Sequence, residues 1–313
     1  MKRMIFLKLM MGAFISFCIL LSCEREGNVK FPAYRSQLVL HGYVETNSLF
    51  RVAVGKTIGY GQTAVPDSAT FISNAIVLLY ENGLFKDTLR YRAADKRYVA
   101  ATAMPSAGNT YTVTVKAEGF DPIEAEAVAP FTVPNNSVQH IRNARFDATG
   151  TSLDDVVFSF NDPAGVENYY VAEINRAQPT TNPSVNPFIS FCVRTYDPVV
   201  ELYQDNLNPF ESGACINNIE VLFNDKTFNG AAKQITLSGD SWSLQTFSFN
   251  NVTYRPFFKK YNVSAAFYNY IKAGISLRSL DDNPFAQMPL IRGNVKNGHG
   301  LFTIYSMTVD TLR

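Results

Sequence analysis

Histidine, cysteine and tryptophan are scarce in this sequence, and the scarcity limits the chemistry it can support. Its 313 residues include one tryptophan and only three histidines, His41, His140 and His299. No histidine stands at zinc-site spacing, and the Gly-x-Ser-x-Gly motif of the serine hydrolases does not occur. We therefore expect no catalytic residue set, no metal site and no cofactor, and we predict that the protein is not an enzyme.

Basic charge and long apolar runs are limited as well. The formal net charge is +1 at pH 7, with 28 basic residues against 27 acidic ones. Because no basic patch or tail stands out, the sequence lacks the electrostatic footprint of a nucleic-acid partner. Beyond the N-terminus there is no apolar run of membrane-spanning length. Hydrophobic residues make up 46% of the chain and charged residues 18%, which is typical of a folded globular protein.

The N-terminus has the organisation of a bacterial lipoprotein signal. Three basic residues in the first eight positions precede an apolar run, 9–21, that is short for a bilayer span. Cys23 follows Leu-Leu-Ser, the arrangement that the lipoprotein signal peptidase cleaves. We expect residues 1–22 to be removed, Cys23 to carry the lipid and residues 23–35 to form a tether. The alternative is an ordinary secretory signal followed by a chance cysteine.

Export would leave two further cysteines in the protein. Cys18 lies in the predicted signal and Cys23 carries the predicted lipid, so Cys192 and Cys215 remain. An even pair in an oxidising compartment predicts one disulfide, which closes a loop of about two dozen residues and contributes about 3 kcal/mol. Two free buried thiols are the alternative.

Short alternating segments with turn residues between them predict a mainly all-β fold. Between 36 and 131 the strand-like segments recur at roughly 8–12 residue intervals, and Glu81-Asn82-Gly83 marks a hairpin. We predict an immunoglobulin-like β-sandwich over 36–131, a linker at 130–136, and a larger β-sandwich-like domain over 137–313. One short helix is predicted in the second domain, from Ser264 to Leu280.

Two polar segments have the composition of turns. In the segment 162–165, Asp-Pro-Ala-Gly, proline presets one dihedral and the aspartate can bond its own downstream amides. The strand that follows should send Tyr170 and its neighbour Tyr169 to opposite faces, one into the core and one outward. The segment 297–300, Asn-Gly-His-Gly, is the second predicted turn.

Aromatic residues are abundant, with 24 Phe and 16 Tyr, and most of them must fill the cores. One group lies beside Asn- and Pro-rich loops and is a candidate ligand or partner contact: Trp242, Phe247, Tyr254 and Phe257. Exposed aromatic rings could stack on sugars or seat a protein partner. Packing within the strands is the alternative.

A combination of segments identifies a family resemblance. The segments are the Cys23 lipobox with residues 38–44, then 160–170, 268–270, and 283–285 with 297–302. In this combination the chain resembles the Bacteroidota lipoprotein family known as domain of unknown function 4249. The resemblance implies an outer-membrane lipoprotein, often encoded beside a TonB-dependent receptor, with no established catalytic activity. It carries no functional residues that can be transferred to this chain.

We therefore expect an outer-membrane-anchored, surface-facing, non-enzymatic accessory lipoprotein that acts with a TonB-dependent receptor or another envelope assembly. The alternative function is that of an autonomous glycan- or peptide-binding lipoprotein, and a periplasmic orientation is the alternative topology. The short tether, with a reach of at most about 30 Å, would hold the first domain near the membrane. Ser68, Thr88 and Thr311 lie in Asp-Ser/Thr-aliphatic tripeptides, which resemble O-glycosylation acceptors of this bacterial group.

Overall fold

The computed structural model describes residues 34–59, 70–147, 149–180, 187–201, 219–278 and 289–313. Over these residues the predicted fold class is confirmed, because the chain is mainly β and sandwich-like with one helix. Residues Ser36–Arg313 form one compact unit. The division into two domains at 131–137 stays a prediction.

The described residues form nineteen strands and one helix. In chain order they are β1 Leu38–Glu45, β2 Arg51–Lys56, β3 Ile76–Glu81, β4 Leu84–Arg92, β5 Arg97–Val99, β6 Thr110–Lys116, β7 Ile123–Val128, β8 Asn135–Phe146, β9 Ser152–Asn161, β10 Tyr169–Ala177, β11 Phe188–Phe191, β12 Val200–Glu201, β13 Val221–Asn224, β14 Ala232–Asp240, β15 Phe247–Phe249, β16 Val252–Tyr254, β17 Pro256–Val263, α1 Ala265–Arg278, β18 Val295–Lys296 and β19 His299–Thr311.

Most strands belong to one long sheet with the order β12-β13-β10-β17-β19-β1-β2-β5-β4-β3-β6-β7-β18, and β11 pairs with β10 beside this path. A second sheet has the order β14-β9-β8, and β15 and β16 form a two-stranded ribbon. The last strand, β19, joins the early and late parts of the chain because it pairs in parallel with β1 and antiparallel with β17.

The buried residues form two main cores. The first core is built from β1 to β7 and their loops, and it is completed by Phe302 and Ile304 of β19. The second core lies between the β14-β9-β8 sheet and the late strands of the long sheet, with Phe158, Phe160 and Phe258 fully buried. Burying one such side chain contributes about 1.5–3 kcal/mol, so Phe302 and Ile304 make β19 an important part of the first core.

The segment predicted as a linker at 130–136 is fixed to β17 and β19. The Phe131 carbonyl accepts hydrogen bonds from Asn262 Nδ2 at 3.1 Å and Ser306 Oγ at 3.0 Å. The Val133 carbonyl accepts one from Lys260 Nζ at 2.8 Å. Asn135 already belongs to β8, so the end of this segment is a strand.

The helix begins where the sequence predicts it. Ser264 caps its N-terminus, since its Oγ accepts a hydrogen bond from the Phe267 amide at 3.2 Å. The predicted end, Leu280, lies outside the described residues. One face of α1 covers the sheet and forms a third, smaller cluster with Val171, Leu222 and Val263. No helix in the described ranges is long and apolar enough to cross a membrane.

Two details of the 162–170 segment correct the sequence prediction. Asp162 does not bond its own downstream amides; it accepts hydrogen bonds from Tyr170 Oη at 2.5 Å and from the Gly230 amide at 2.9 Å. Tyr170 enters the second core, as one of the pair should. Tyr169 points to the opposite face, as predicted, but it is half-buried there because α1 places the Tyr268 ring 5.1 Å from it.

Candidate functional site

The candidate site lies between α1 and the face of the long sheet that is turned away from the first core. Alternate residues of β1, such as Leu38 and Leu40, are buried in that core. The residues between them, among them His41 and Tyr43, point to the opposite face. Since α1 covers only part of this face, a cavity remains beside it.

We call this cavity the aromatic pocket. Its volume is about 220 Å³, and its lining residues come from β1, β10, β17, β19 and α1: Tyr43, Val171, Glu173, Tyr261, Val263, Phe267, Ile271 and Tyr305. Five separate elements of the fold therefore supply the walls. A pocket with mainly apolar walls and few polar groups is the usual form of a small-molecule site.

The four rings of the pocket are tilted relative to one another. The ring centroids of Tyr43 and Phe267 are 5.4 Å apart at an interplanar angle of 43°. Those of Tyr261 and Tyr305 are 5.6 Å apart at 68°, and those of Phe267 and Tyr305 are 6.2 Å apart at 36°. The rings thus form adjoining walls of one cavity instead of a parallel stack.

One acidic side chain belongs to the pocket. Glu173 is half-buried, and Tyr261 Oη lies 3.3 Å from its Oε2 and donates a hydrogen bond to it. Burial raises the pKa of Glu173, and the neighbouring Glu220 carboxylate raises it further. Burial also raises the pKa of Tyr43, Tyr261 and Tyr305, so these phenols remain neutral hydrogen-bond donors at neutral pH.

A second cavity of about 260 Å³ lies near the start of β19. His41, His299 and Tyr270 line it together with Gly293, Gly298 and Gly300. Burial and the Arg97 charge lower the pKa of His41, and His299 Nε2 lies 2.6 Å from Gln37 Oε1. The described part of the chain contains no group of three or more His, Cys, Asp or Glu residues that could hold a metal ion.

The remaining histidine belongs to a network in the second sheet. His140 Nε2 lies 2.7 Å from Asp154 Oδ2, and Ser241 Oγ donates to Asp154 Oδ1 at 2.5 Å. His140 and Ser241 thus both contact the Asp154 carboxylate. In a catalytic arrangement the serine would instead contact the imidazole of the histidine. We assign the network a role in packing β8 against β9 and the turn after β14.

The aromatic residues predicted as contacts do not converge on one cavity. Trp242 lies at the surface and is 78% exposed. Phe247 and Tyr254 stack across the β15–β16 ribbon at 5.0 Å, and Phe257 packs against Phe188 at 5.9 Å. Their role in binding a ligand or partner stays a prediction.

The predicted modification sites are only partly described. Cys23, Ser68 and Cys215 lie outside the described residues, so lipidation and the Cys192–Cys215 disulfide stay predictions. Thr88 on β4 and Thr311 on β19 are both exposed. Either hydroxyl is therefore accessible to a glycosyl transferase.

One feature of the sequence, the composition of the outer face of β1, indicates the aromatic pocket. A half-exposed strand usually carries polar side chains on its outer face, but β1 carries Val39, His41 and Tyr43 there. Large side chains on the outer face of an otherwise regular strand indicate a second covered surface. Here that surface is the one beneath α1.

Comparison with known proteins places the chain in a family. The model of the family described as domain of unknown function, DUF4249, matches residues 24–311. The chain belongs to this family. The DUF4249 match includes all the residues that line the aromatic pocket. No curated protein matches the chain.

Proposed function

We propose that this DUF4249 protein is an outer-membrane-anchored, non-enzymatic binding lipoprotein. In this proposal it holds a small ligand in the aromatic pocket and acts as an accessory to a TonB-dependent receptor or another envelope assembly. The aromatic pocket carries the proposal, because rings from three strands and α1 line a cavity that is open to a ligand. The lipobox at Cys23 supports the anchor.

The proposed association with an envelope partner can be tested by co-purification. The tagged protein is purified from its own membranes in a mild maltoside detergent, and the proteins that co-purify with it are identified by mass spectrometry. We expect one outer-membrane protein to be recovered at a constant ratio to the lipoprotein. Cys23→Ala is the matched control, since it should lose both the lipid mass and the membrane fraction. Recovery of the wild-type protein without any other envelope protein would count against an accessory role.

A second candidate function, autonomous binding of a glycan or peptide, is favoured by one observation. All residues of the aromatic pocket belong to the compact unit Ser36–Arg313, so the site is complete within this chain. Screening the purified protein alone against glycan and peptide arrays tests this function. Binding that needs no partner, and that Tyr305→Ala abolishes, would favour autonomy over the accessory role.

A further inference from the structure

We propose that the aromatic pocket binds an organic cation, namely a quaternary ammonium group. This inference rests on the proposed function, since it names the ligand class for the same pocket. It is carried by the combination of four aromatic walls with a carboxylate, the arrangement that recognises methylated ammonium groups in protein aromatic cages.

The rings supply the first part of the argument. The face of an aromatic ring carries negative charge density, so a cation within about 6 Å of the centroid is attracted to it. The walls formed by Tyr43, Tyr261, Phe267 and Tyr305 adjoin one another at angles of 36–68° in the three pairs measured. A cation in the cavity would therefore meet several rings at once.

In the part of the chain that the structure describes, the rings of the aromatic pocket have no cation of the protein itself over them. Elsewhere, the Arg176 guanidinium lies 4.6 Å from the Phe247 centroid and Lys96 Nζ lies 5.3 Å from that of Phe71. Within the described residues, no lysine or arginine lies over any of the four rings of the aromatic pocket. The attraction that is satisfied internally at other rings is thus available here to a ligand.

The charges around the pocket are mainly negative. Glu173 lines it, Glu220 acts electrostatically on Glu173, and Glu45 acts on Tyr261 and Tyr305. Lys259 opposes these charges, and it stands beside Glu173 across the β10–β17 pair. Its Nζ lies 5.2 Å from the centroids of both Phe188 and Phe257. Among these groups, three carboxylates stand against one amine, and this balance favours a cation over an anion as the ligand.

The apolar lining decides between an organic cation and a metal ion. Val171, Val263 and Ile271 form the rest of the wall, and they offer no oxygen ligands. A divalent metal would need several oxygen donors, whereas the pocket contributes one carboxylate and phenolic hydroxyls. A cation that carries methyl groups matches both the rings and the aliphatic surface.

Calorimetry with the purified full-length protein in a maltoside detergent tests the proposal. Choline is titrated in parallel with 3,3-dimethyl-1-butanol, which has nearly the same shape but no charge. We expect choline to bind at least about tenfold more tightly, which corresponds to about 1.4 kcal/mol of cation–π and ionic attraction. Equal binding of the two compounds, or no binding of choline, would overturn the proposal.

Variants locate the choline site. Phe267→Leu keeps an apolar wall but removes a ring, and we expect choline affinity to fall about five- to tenfold. Glu173→Gln keeps the shape of the wall, and choline affinity should fall by a similar factor. Phe249→Leu, on the exposed β15–β16 ribbon, is the matched control and should leave choline binding unchanged. If both pocket variants bound choline as tightly as the wild-type protein does, the proposed site would be contradicted. Thermal unfolding of each variant verifies that it is folded.

A pH series adds an independent readout. Because burial and Glu220 raise the pKa of Glu173, this carboxyl ionises at a higher pH than an ordinary glutamate does. Choline affinity should increase as the pH rises and Glu173 ionises, and Glu173→Gln should remove most of the increase. Failure of choline binding would leave the co-purification result untouched, so the ligand class and the accessory role are tested separately.

Discussion

Replacing Lys260 with methionine should remove a gain in stability that the wild-type protein shows between neutral and mildly alkaline pH. Lys260 is 2% exposed in the second core. Its Nζ lies 4.2 Å from the Phe160 centroid and donates a hydrogen bond to the Val133 carbonyl. Burial lowers the pKa of Lys260 to about 7, although the carboxylates of Asp310 and Asp162 oppose this shift.

The sign of the effect follows from proton binding. In the unfolded chain a lysine keeps its ordinary pKa of 10.5. Between the folded pKa of about 7 and this value, the unfolded chain binds one proton more than the folded chain, so the free energy of unfolding rises with pH. The slope approaches about 1.4 kcal/mol per pH unit, which gives a rise of about 2 kcal/mol from pH 7 to pH 9. Below pH 7 the lysine is charged in both states and the gain is absent.

Urea denaturation of the wild-type protein and Lys260→Met at a series of pH values measures this contribution. The difference between the two curves should change by about 2 kcal/mol over the same range, while other titrating groups cancel. Lys259→Met is the matched control, because Lys259 is adjacent in sequence but points to the opposite, half-exposed face of β17. Parallel pH profiles for the wild-type protein and Lys260→Met would show that the buried amine does not lose its proton.

Lys260 also explains why β17 is difficult to predict from sequence. The strand β6 alternates polar and apolar residues along Thr110–Lys116, and it can be predicted from sequence because that pattern is local. In β17 the core-facing positions include Lys260 and Asn262. Their partners are carbonyls of Val133 and Phe131, more than a hundred residues earlier in the chain. A polar residue that is satisfied by so distant a partner breaks the local signal.

The aromatic pocket shows a different limit of sequence reasoning. The alternation of side chains along a strand shows which face of its strand each of the residues Tyr43, Tyr261 and Tyr305 occupies. It cannot show that the three strands are neighbours, which depends on the pairing of β19 with both β1 and β17. The helix could be predicted because its cap and periodicity are local, but the surface beneath it depends on strand order. The aromatic pocket therefore cannot be predicted from sequence without knowing the order of the strands in the sheet.

Gly300→Ala should be among the most destabilising single substitutions in the chain, with an expected loss of about 3 kcal/mol or more. Gly300 has a φ of +110°, and a Cβ atom there would lie 2.0 Å from the Leu40 carbonyl oxygen. Leu40 faces Gly300 in the register of the β1–β19 pair. Because Leu40 is fully buried in the first core, its strand cannot move aside without disrupting that core.

Gly83→Ala separates the steric effect from the conformational one. Gly83, in the β3–β4 turn, also has a positive φ of +80°, but no atom lies within 4 Å of the position of an added Cβ. Its replacement should cost only about 1 kcal/mol, the penalty for an L-residue in that region. Urea denaturation compares the free energy of unfolding of the two variants. If Gly300→Ala fails to fold, the yield of soluble protein is compared instead. Equal losses of stability in the two variants would mean that β19 can shift relative to β1. A much larger loss for Gly300→Ala would show that the contact between Gly300 and Leu40 fixes the β1–β19 pair, on which both the first core and the aromatic pocket depend.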